Sequence, residues 1–280
     1  MIAVVLALTG ALVYGVADFW GGMATKRAAV LIVIPGSQLA GLAVLAPFLL
    51  LGSSHPDPRS MAWGAAAGVA GGLGLVLFYR SLATGTMSVV APLTAVTAAA
   101  VPVLGGIALG EQPSALVFVG VVAALVAVVM VSAEGGRLPR LRQSLSDPAT
   151  AGALISGAAF GLFFVLISRS ESTSGLWPLL GARVASIALL LALALAVRPP
   201  RAPRSSWPVI LAAGIGDTLA NALFLVASRY GMLTVTGVLI ALYPASTVLL
   251  AQTVLHERIS RLQLGGLAAA AVSVALIAAG

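Results

Sequence analysis

Residues 109–120, LGEQPSALVFVG, recur 146 positions later as residues 255–266, LHERISRLQLGG. Both copies carry glutamate at their third position, Glu111 and Glu257, and glycine at their twelfth, Gly120 and Gly266. The glutamates are the informative match because the 280 residues include only eight acidic side chains. One shift in numbering therefore relates two parts of the chain.

The same shift aligns positions far outside this stretch. The further matched positions are Tyr14-Gly15 with Phe160-Gly161, Gly68 with Gly214, Phe78 with Phe224, and Gly85 with Gly231. Each copy contains five hydrophobic segments. Because five is an odd number, the second copy must cross a membrane in the opposite sense to the first, which predicts an inverted repeat.

The composition indicates that most of this protein lies in a lipid membrane. Hydrophobic residues make up 60% of the chain and charged residues 8%, with a mean hydropathy of +1.10, which excludes a water-soluble domain. A membrane helix needs about 20 apolar residues, and the polar breaks leave ten such runs. These runs are 2–22, 29–51, 61–79, 86–110, 114–132, 150–168, 176–197, 207–227, 232–254 and 262–279.

We predict an all-α polytopic membrane protein with ten transmembrane helices in two inverted five-helix repeats. A β-barrel is excluded because residues 116–131 are apolar on every face, whereas barrel strands alternate. The first repeat covers 1–132, a connecting loop 133–149 and the second repeat 150–280. Two repeats in one chain leave both a monomer and a homodimer open.

The net charge of +7 reflects basic residues in the loops, so it indicates membrane topology rather than nucleic-acid binding. Eleven Lys and Arg residues follow odd-numbered spans, and only three, Arg59, Arg169 and Arg229, follow even-numbered spans. The positive-inside rule then predicts that both termini lie outside the cytoplasm.

Metal and cofactor chemistry finds no support in the sequence. Cysteine is absent, and the two histidines, His55 and His256, both lie at predicted helix ends. No Walker sequence or zinc-protease H-E-x-x-H string is present. We therefore predict no metal site, no cofactor and no ATP-driven pumping.

Three charged residues lie inside the predicted spans: Asp18, Arg183 and Asp217. A charge at membrane depth costs about 2.5–3.5 kcal/mol on insertion scales, so such residues mark functional sites. At 1.5 Å per residue, Arg183 is roughly 11 Å and Asp217 roughly 15 Å inside their spans. Asp18 is only about four residues from the end of its predicted span. Depth therefore favours Arg183 with Asp217 as the ion pair.

The sequence allows two roles for the Arg183–Asp217 pair. The two charges either neutralise each other between helices, or they line a cavity that binds a charged substrate or a proton. Further candidates for substrate binding or coupling are Asn221, one turn from Asp217, together with Tyr14, Tyr79, Tyr243 and Gln38.

Glycine and proline describe how the spans pack. Gly64, Gly68 and Gly72 are spaced by four, which favours close approach of a neighbouring helix. Pro244 in the ninth span predicts a kink there. Its equivalent in the first repeat is Ala98, so the two repeats bend differently.

The doubled pattern resembles the EamA domains of the drug/metabolite transporter superfamily. The resemblance rests on Gly110-Glu111 followed by Gly120, and on Glu257 followed by Gly266. It is supported by the passages 78–92 and 224–237. Arg183 stands where the second helix of such a domain often carries arginine, whereas the first copy departs with Ser37.

This resemblance covers essentially the whole chain and implies a non-enzymatic secondary transporter that works by alternating access. It implies a small polar or amphipathic substrate, with export of amino acids or related metabolites as the first expectation and proton coupling as a further one. Uptake of sugars or nucleosides and export of cationic drugs are the alternatives. It also implies an integral protein of the bacterial inner membrane with cytoplasmic termini, which disagrees with the loop charges.

Two other classes compete with a transporter. The string Gly214-Ile215-Gly216-Asp217 matches the G-x-G-D string of intramembrane aspartyl proteases, whose two carboxylates share a proton. Asp18 is the only other acid inside a span, and its predicted shallow depth argues against a shared site. A membrane scaffold that transports nothing is the third class, and the inverted repeat with charges at mid-membrane argues against it.

Overall fold

The computed structural model describes residues 1–84, 87–133, 148–256 and 258–280. Within these ranges the side chains of Tyr79, Leu82, Ala83, Met87, Ser88, Val89 and Leu255 are outside the described set. The repeat positions Gly85 and Glu257, and most of the predicted connecting loop, also lie outside the described residues.

Helices account for nearly all of the described chain. In order they are α1 (Ile2–Thr25), α2 (Val30–Leu51), α3 (Pro58–Thr84), α4 (Met87–Ala108), α5 (Ala115–Ser132), α6 (Pro148–Ser168), α7 (Trp177–Val197), α8 (Trp207–Tyr230), α9 (Leu233–Ile240), α10 (Tyr243–Leu255) and α11 (Arg261–Ala279). Among the described residues, ten helical spans are long and apolar enough to cross a membrane, with α9 and α10 together forming one of them. The predicted all-α fold with ten spans is confirmed.

The ninth span is broken, as Pro244 predicts. Helix α9 ends at Ile240, and α10 begins at Tyr243 with Pro244 in its first turn. A proline ring clashes with the carbonyl four residues earlier, here that of Ile240, so the chain starts a new helix instead. In the first repeat, α4 runs continuously through Pro92 and Pro102.

The two halves interleave, so the main packing partners of most helices belong to the other half. Helix α1 packs against α8, and the equivalent pair of the repeat, α6 and α3, packs in the same way. Likewise α2 packs against α8, and α7 against α3. Residue contacts show that α1 and α8 are antiparallel, whereas α3 and α7 are parallel. These directions confirm the inverted repeat.

Repeated glycines lie where helices of opposite halves approach most closely. A Cβ atom on Gly68 would clash with the backbone of Ala182, and one on its equivalent Gly214 would clash with the backbone of Ser37. Ser37 and residue 183 are themselves equivalent positions, so the two contacts match to within one residue. Close packing explains why glycine recurs at this position.

A second pair of repeated glycines supports the contact between α5 and α11. A Cβ atom on Gly120 would clash with Ile277, and one on Gly266 would clash with Val131. Residues 131 and 277 are again 146 positions apart, as are the glycines. The pseudo-twofold relation therefore holds at the level of individual contacts.

Glu111, the repeated glutamate of the first half, caps the first turn of α9 in the second half. The Glu111 carboxylate accepts hydrogen bonds from the backbone N–H groups of Leu233 (2.5 Å) and Thr234 (2.8 Å), and from the Thr234 hydroxyl (2.6 Å). These N–H groups belong to the first turn of α9, which has no partner for them within the helix. Glu111 thus supplies a capping carboxylate across the interface between the halves.

Candidate functional site

An ion pair joins α7 and α8 in the interior of the second half. Arg183 Nη2 lies 2.5 Å from Asp217 Oδ2 and also donates to Thr218 Oγ1 at 3.0 Å. The Arg183 side chain is 9% exposed and the Asp217 side chain 38% exposed. The predicted pair therefore forms, with its guanidinium enclosed and its carboxylate open on one side.

A second polar contact connects this pair to the first half. Ser186, one turn beyond Arg183 on α7, donates to Gln38 Oε1 of α2 at 2.5 Å. Both side chains are buried. A buried hydroxyl and amide need partners inside the protein, so this bond holds α2 against α7 beside the ion pair.

Asn221 extends the polar surface of α8 by one turn. Its amide Nδ2 donates to the backbone oxygen of Asp217 at 2.8 Å, which orients the side chain along its own helix. The residue is only 4% exposed, and Asn221 Oδ1 has no hydrogen-bond partner within the described ranges. A buried carbonyl oxygen of this kind can still accept a hydrogen bond from a donor.

Asp18 lies farther from the end of its helix than the sequence predicted. Helix α1 continues to Thr25, three residues beyond the predicted end of the span, which leaves Asp18 roughly 10 Å from the helix terminus. Its neighbour Ala17 faces Gly216, the residue before Asp217, across the antiparallel pair of α1 and α8. Asp18 and Asp217 consequently lie at similar depth, and their charges interact.

The exposure of Asp18 indicates an open space inside the protein. The apolar residues Val5, Leu12 and Trp20 form the exposed row of α1 that faces lipid. At 3.6 residues per turn, Asp18 projects from the opposite side of the helix, toward the other spans. It is nevertheless exposed, so the accessible space that it faces lies between the helices.

An aromatic cluster borders the charged residues. Tyr14, one turn before Asp18, packs against Tyr243 of α10 with ring centroids 6.0 Å apart, and against Phe164 of α6 at 6.4 Å. Phe164 continues the cluster to Phe224 at 4.5 Å. Tyr14 also lies within electrostatic range of Asp18, Asp217 and Arg183. The structure thus brings aromatic side chains from four spans beside the charges.

Most of the residues singled out in the sequence meet in one place. Seven of the eight candidates lie on the helices that pack around the ion pair, and the side chain of the eighth, Tyr79, lies outside the described residues. The seven are Tyr14, Asp18, Gln38, Arg183, Asp217, Asn221 and Tyr243. The sequence reasoning missed Thr218, Ser186 and Phe164. A search for polar residues one position or one turn from a membrane charge would have found the first two.

The charges of the cluster do not cancel. Arg183 contributes one positive charge, and Asp18 and Asp217 contribute two carboxylates, of which only Asp217 is paired with Arg183. In the described part of the chain, Asp18 has neither an ion-pair partner nor a hydrogen bond. The arrangement can bind a cationic group at Asp18 and stack an apolar body on the neighbouring rings.

Comparison with known proteins identifies the family. The EamA-like transporter family matches residues 1–133 and 148–279, which is nearly the whole chain in two halves. The chain belongs to the EamA-like transporter family. It is accordingly an integral membrane protein of the drug/metabolite transporter type, and small molecules are its substrates.

Solved structures agree on the fold. A crystal structure of a protein with 17% sequence identity superposes with a TM-score of 0.76, and the match covers 99% of this chain and 98% of that one. At this identity the likeness concerns the fold alone. No curated protein matches the chain.

The family also bears on the protease alternative. Members of the family are transporters. The prediction that Asp18 is too shallow to share a site with Asp217 is wrong, since the two residues lie at similar depth. However, Asp217 Oδ2 is in contact with the Arg183 guanidinium, whereas the two carboxylates of an aspartyl protease share a proton with each other.

Proposed function

We propose that this EamA-like transporter exports a small polar or amphipathic metabolite that carries an amino group, by alternating access around the Asp18–Arg183–Asp217 cluster. The observation that carries the proposal is the Asp18 carboxylate on the inward face of α1, which has no ion-pair partner among the described residues and lies beside an aromatic cluster. Amino acids, the first expectation from the sequence, and the amines related to them both offer an ammonium group to this carboxylate. The two classes differ in whether the substrate also carries a carboxylate. The bacterial inner membrane is the proposed location.

The interleaved halves support an alternating-access mechanism. The residues of the cluster and their neighbours Gln38 and Tyr243 lie on α1 and α2 of the first half and on α7, α8 and α10 of the second. Movement between the halves therefore changes access to the cluster. Proton coupling belongs to the same proposal. Asp217 is the coupling candidate because protonation of its carboxylate would release Arg183.

Flux into sealed vesicles tests this function. The purified protein is reconstituted in proteoliposomes and assayed with labelled amino acids, organic amines, sugars and nucleosides, with and without a pH gradient. We expect flux of amino-group compounds above that of protein-free vesicles and acceleration by the gradient. Flux confined to sugars or nucleosides would favour the uptake alternative, and absence of flux in every class would overturn the proposal.

A further inference from the structure

Resting on the proposed function, we infer that the site selects small organic cations, with an ammonium group and no carboxylate, over zwitterions and anions. The charge class of the substrate depends on which charged groups of the site are already paired and which remain available.

Arg183 is not available to a substrate carboxylate. Its guanidinium is enclosed and makes an ion pair with Asp217 and a hydrogen bond with Thr218. A zwitterion or anion would have to displace Asp217, leaving a carboxylate without its partner in the interior, and such a loss is costly. A carboxylate on the substrate would in addition meet Asp18 and Asp217, two groups of its own sign.

Asp18, in contrast, is accessible and free of a cationic partner among the described residues. With both carboxylates ionised, an ammonium group there would bring the net charge of the cluster from minus one to zero. It would also offset the repulsion between Asp18 and Asp217, whose charges interact. Electrostatics at this depth is weakly screened, so neutralisation favours a cation strongly.

Two further observations point to the same ligand. The rings of Tyr14 and Tyr243 lie beside Asp18, and aromatic faces attract ammonium groups. Asn221 Oδ1, one turn from Asp217, is a buried acceptor without a donor in the part of the chain that the structure describes. An ammonium ion brings N–H donors but no acceptor, which matches a site that offers carboxylate, carbonyl and π-electron density.

Matched probes that differ only in charge test the inference. The full chain in lipid nanodiscs is titrated with phenethylamine, phenylalanine, hydrocinnamate and phenethyl alcohol, which share one ring. A second set uses tryptamine, tryptophan, indolepropionate and tryptophol, and a third uses isoamylamine, leucine, isocaproate and isoamyl alcohol. We expect an amine to bind at least about tenfold more tightly than the other members of its set, as a charge-assisted hydrogen bond implies.

Variants at Asp18 assign the selectivity to this carboxylate. Asp18→Asn should lose the preference for the amine, whereas Asp18→Glu, which keeps the charge, should retain it. Asp57→Asn is the matched control, because Asp57 is a carboxylate outside the spans that caps α3 through Ser60 N–H, and asparagine caps equally well. Thermal unfolding of each variant verifies that it is folded before binding is measured.

The outcomes separate this inference from the proposed function. Tighter binding of a zwitterion or anion, unchanged selectivity in folded Asp18→Asn, or absence of binding by all three amines would overturn the inference. Vesicle flux of phenylalanine or leucine in any of these cases would leave the transporter function standing with a different charge class. Absence of flux in every substrate class would overturn the proposed function.

Discussion

Arg183 is held by two acceptors that are adjacent on α8, so its removal isolates the Asp217 carboxylate in the membrane interior. We expect Arg183→Met to lower the free energy of unfolding by about 1–3 kcal/mol, less than a fully buried ion pair would lose, because Asp217 is partly exposed. The double variant Arg183→Met with Asp217→Asn should recover most of this loss. Thermal unfolding in nanodiscs measures both, and a double variant no more stable than the single one would contradict the ion-pair account.

Asp217 is the residue at which proton coupling is testable. Asp217→Asn retains the shape of the side chain but cannot exchange a proton, so we expect flux driven by a pH gradient to be abolished in reconstituted vesicles. Asp57→Asn, at the start of α3, should leave this flux unchanged. Unaltered gradient-driven flux in the Asp217 variant would remove this residue from the coupling mechanism.

Among the elements, the contacts of α3 with α7 and of α8 with α2 depend on glycines that bring the helix backbones close together. Gly68→Ala and Gly214→Ala each place a Cβ atom against backbone of the neighbouring helix, so we expect losses of about 1–3 kcal/mol from forced separation of the helices. Gly22→Ala is the matched control, since no atom lies within 4 Å of its added Cβ. Thermal unfolding compares the three variants, and equal stability would contradict the packing account.

The start of α9 depends on a carboxylate from the other half. We expect Glu111→Ala to cost about 1–2 kcal/mol, because two first-turn N–H groups and the Thr234 hydroxyl lose their acceptor. Glu171→Ala serves as the control, because the hydrogen bonds of Glu171 run through its backbone atoms. The free energy of unfolding of both variants is measured, and an unaffected Glu111→Ala protein would show that the cap is dispensable.

At the scale of the whole molecule, the loop charges predict the orientation of the protein in the membrane. The loop charges place residues 198–206 in the cytoplasm and residues 169–176 outside. Because the chain has no cysteine, single cysteines at the exposed positions Ser172 and Ser205 report accessibility without background. We expect an impermeant maleimide to label Ser172→Cys in intact cells, and Ser205→Cys only after permeabilisation. The reverse pattern would favour the cytoplasmic termini that the family resemblance implies.

Much of the architecture follows from the sequence, because membrane insertion imposes strong local constraints. The need to satisfy backbone groups within each span makes apolar runs helical, so ten helices follow from composition and length. The register of 146 residues identifies the odd-numbered repeat. Pro244 marks the broken span through its own covalent structure, without reference to neighbours.

Other features depend on which helices become neighbours, and no local pattern specifies that. The depth of Asp18 was underestimated because polar residues after residue 22 mask the continuation of α1 to Thr25. The role of Glu111 was invisible because its partners lie more than 120 residues away in the other half.

The membrane environment, the helices, the inverted repeat and the rare charges at membrane depth can be predicted from the sequence, since each follows from the cost of placing polar groups in hydrocarbon. The packing of the helices, in contrast, binds Arg183 to Asp217 and leaves Asp18 without a cationic partner among the described residues. That difference depends on side-chain reach across interfaces between helices, which only packing establishes. The charge preference of the site rests on it.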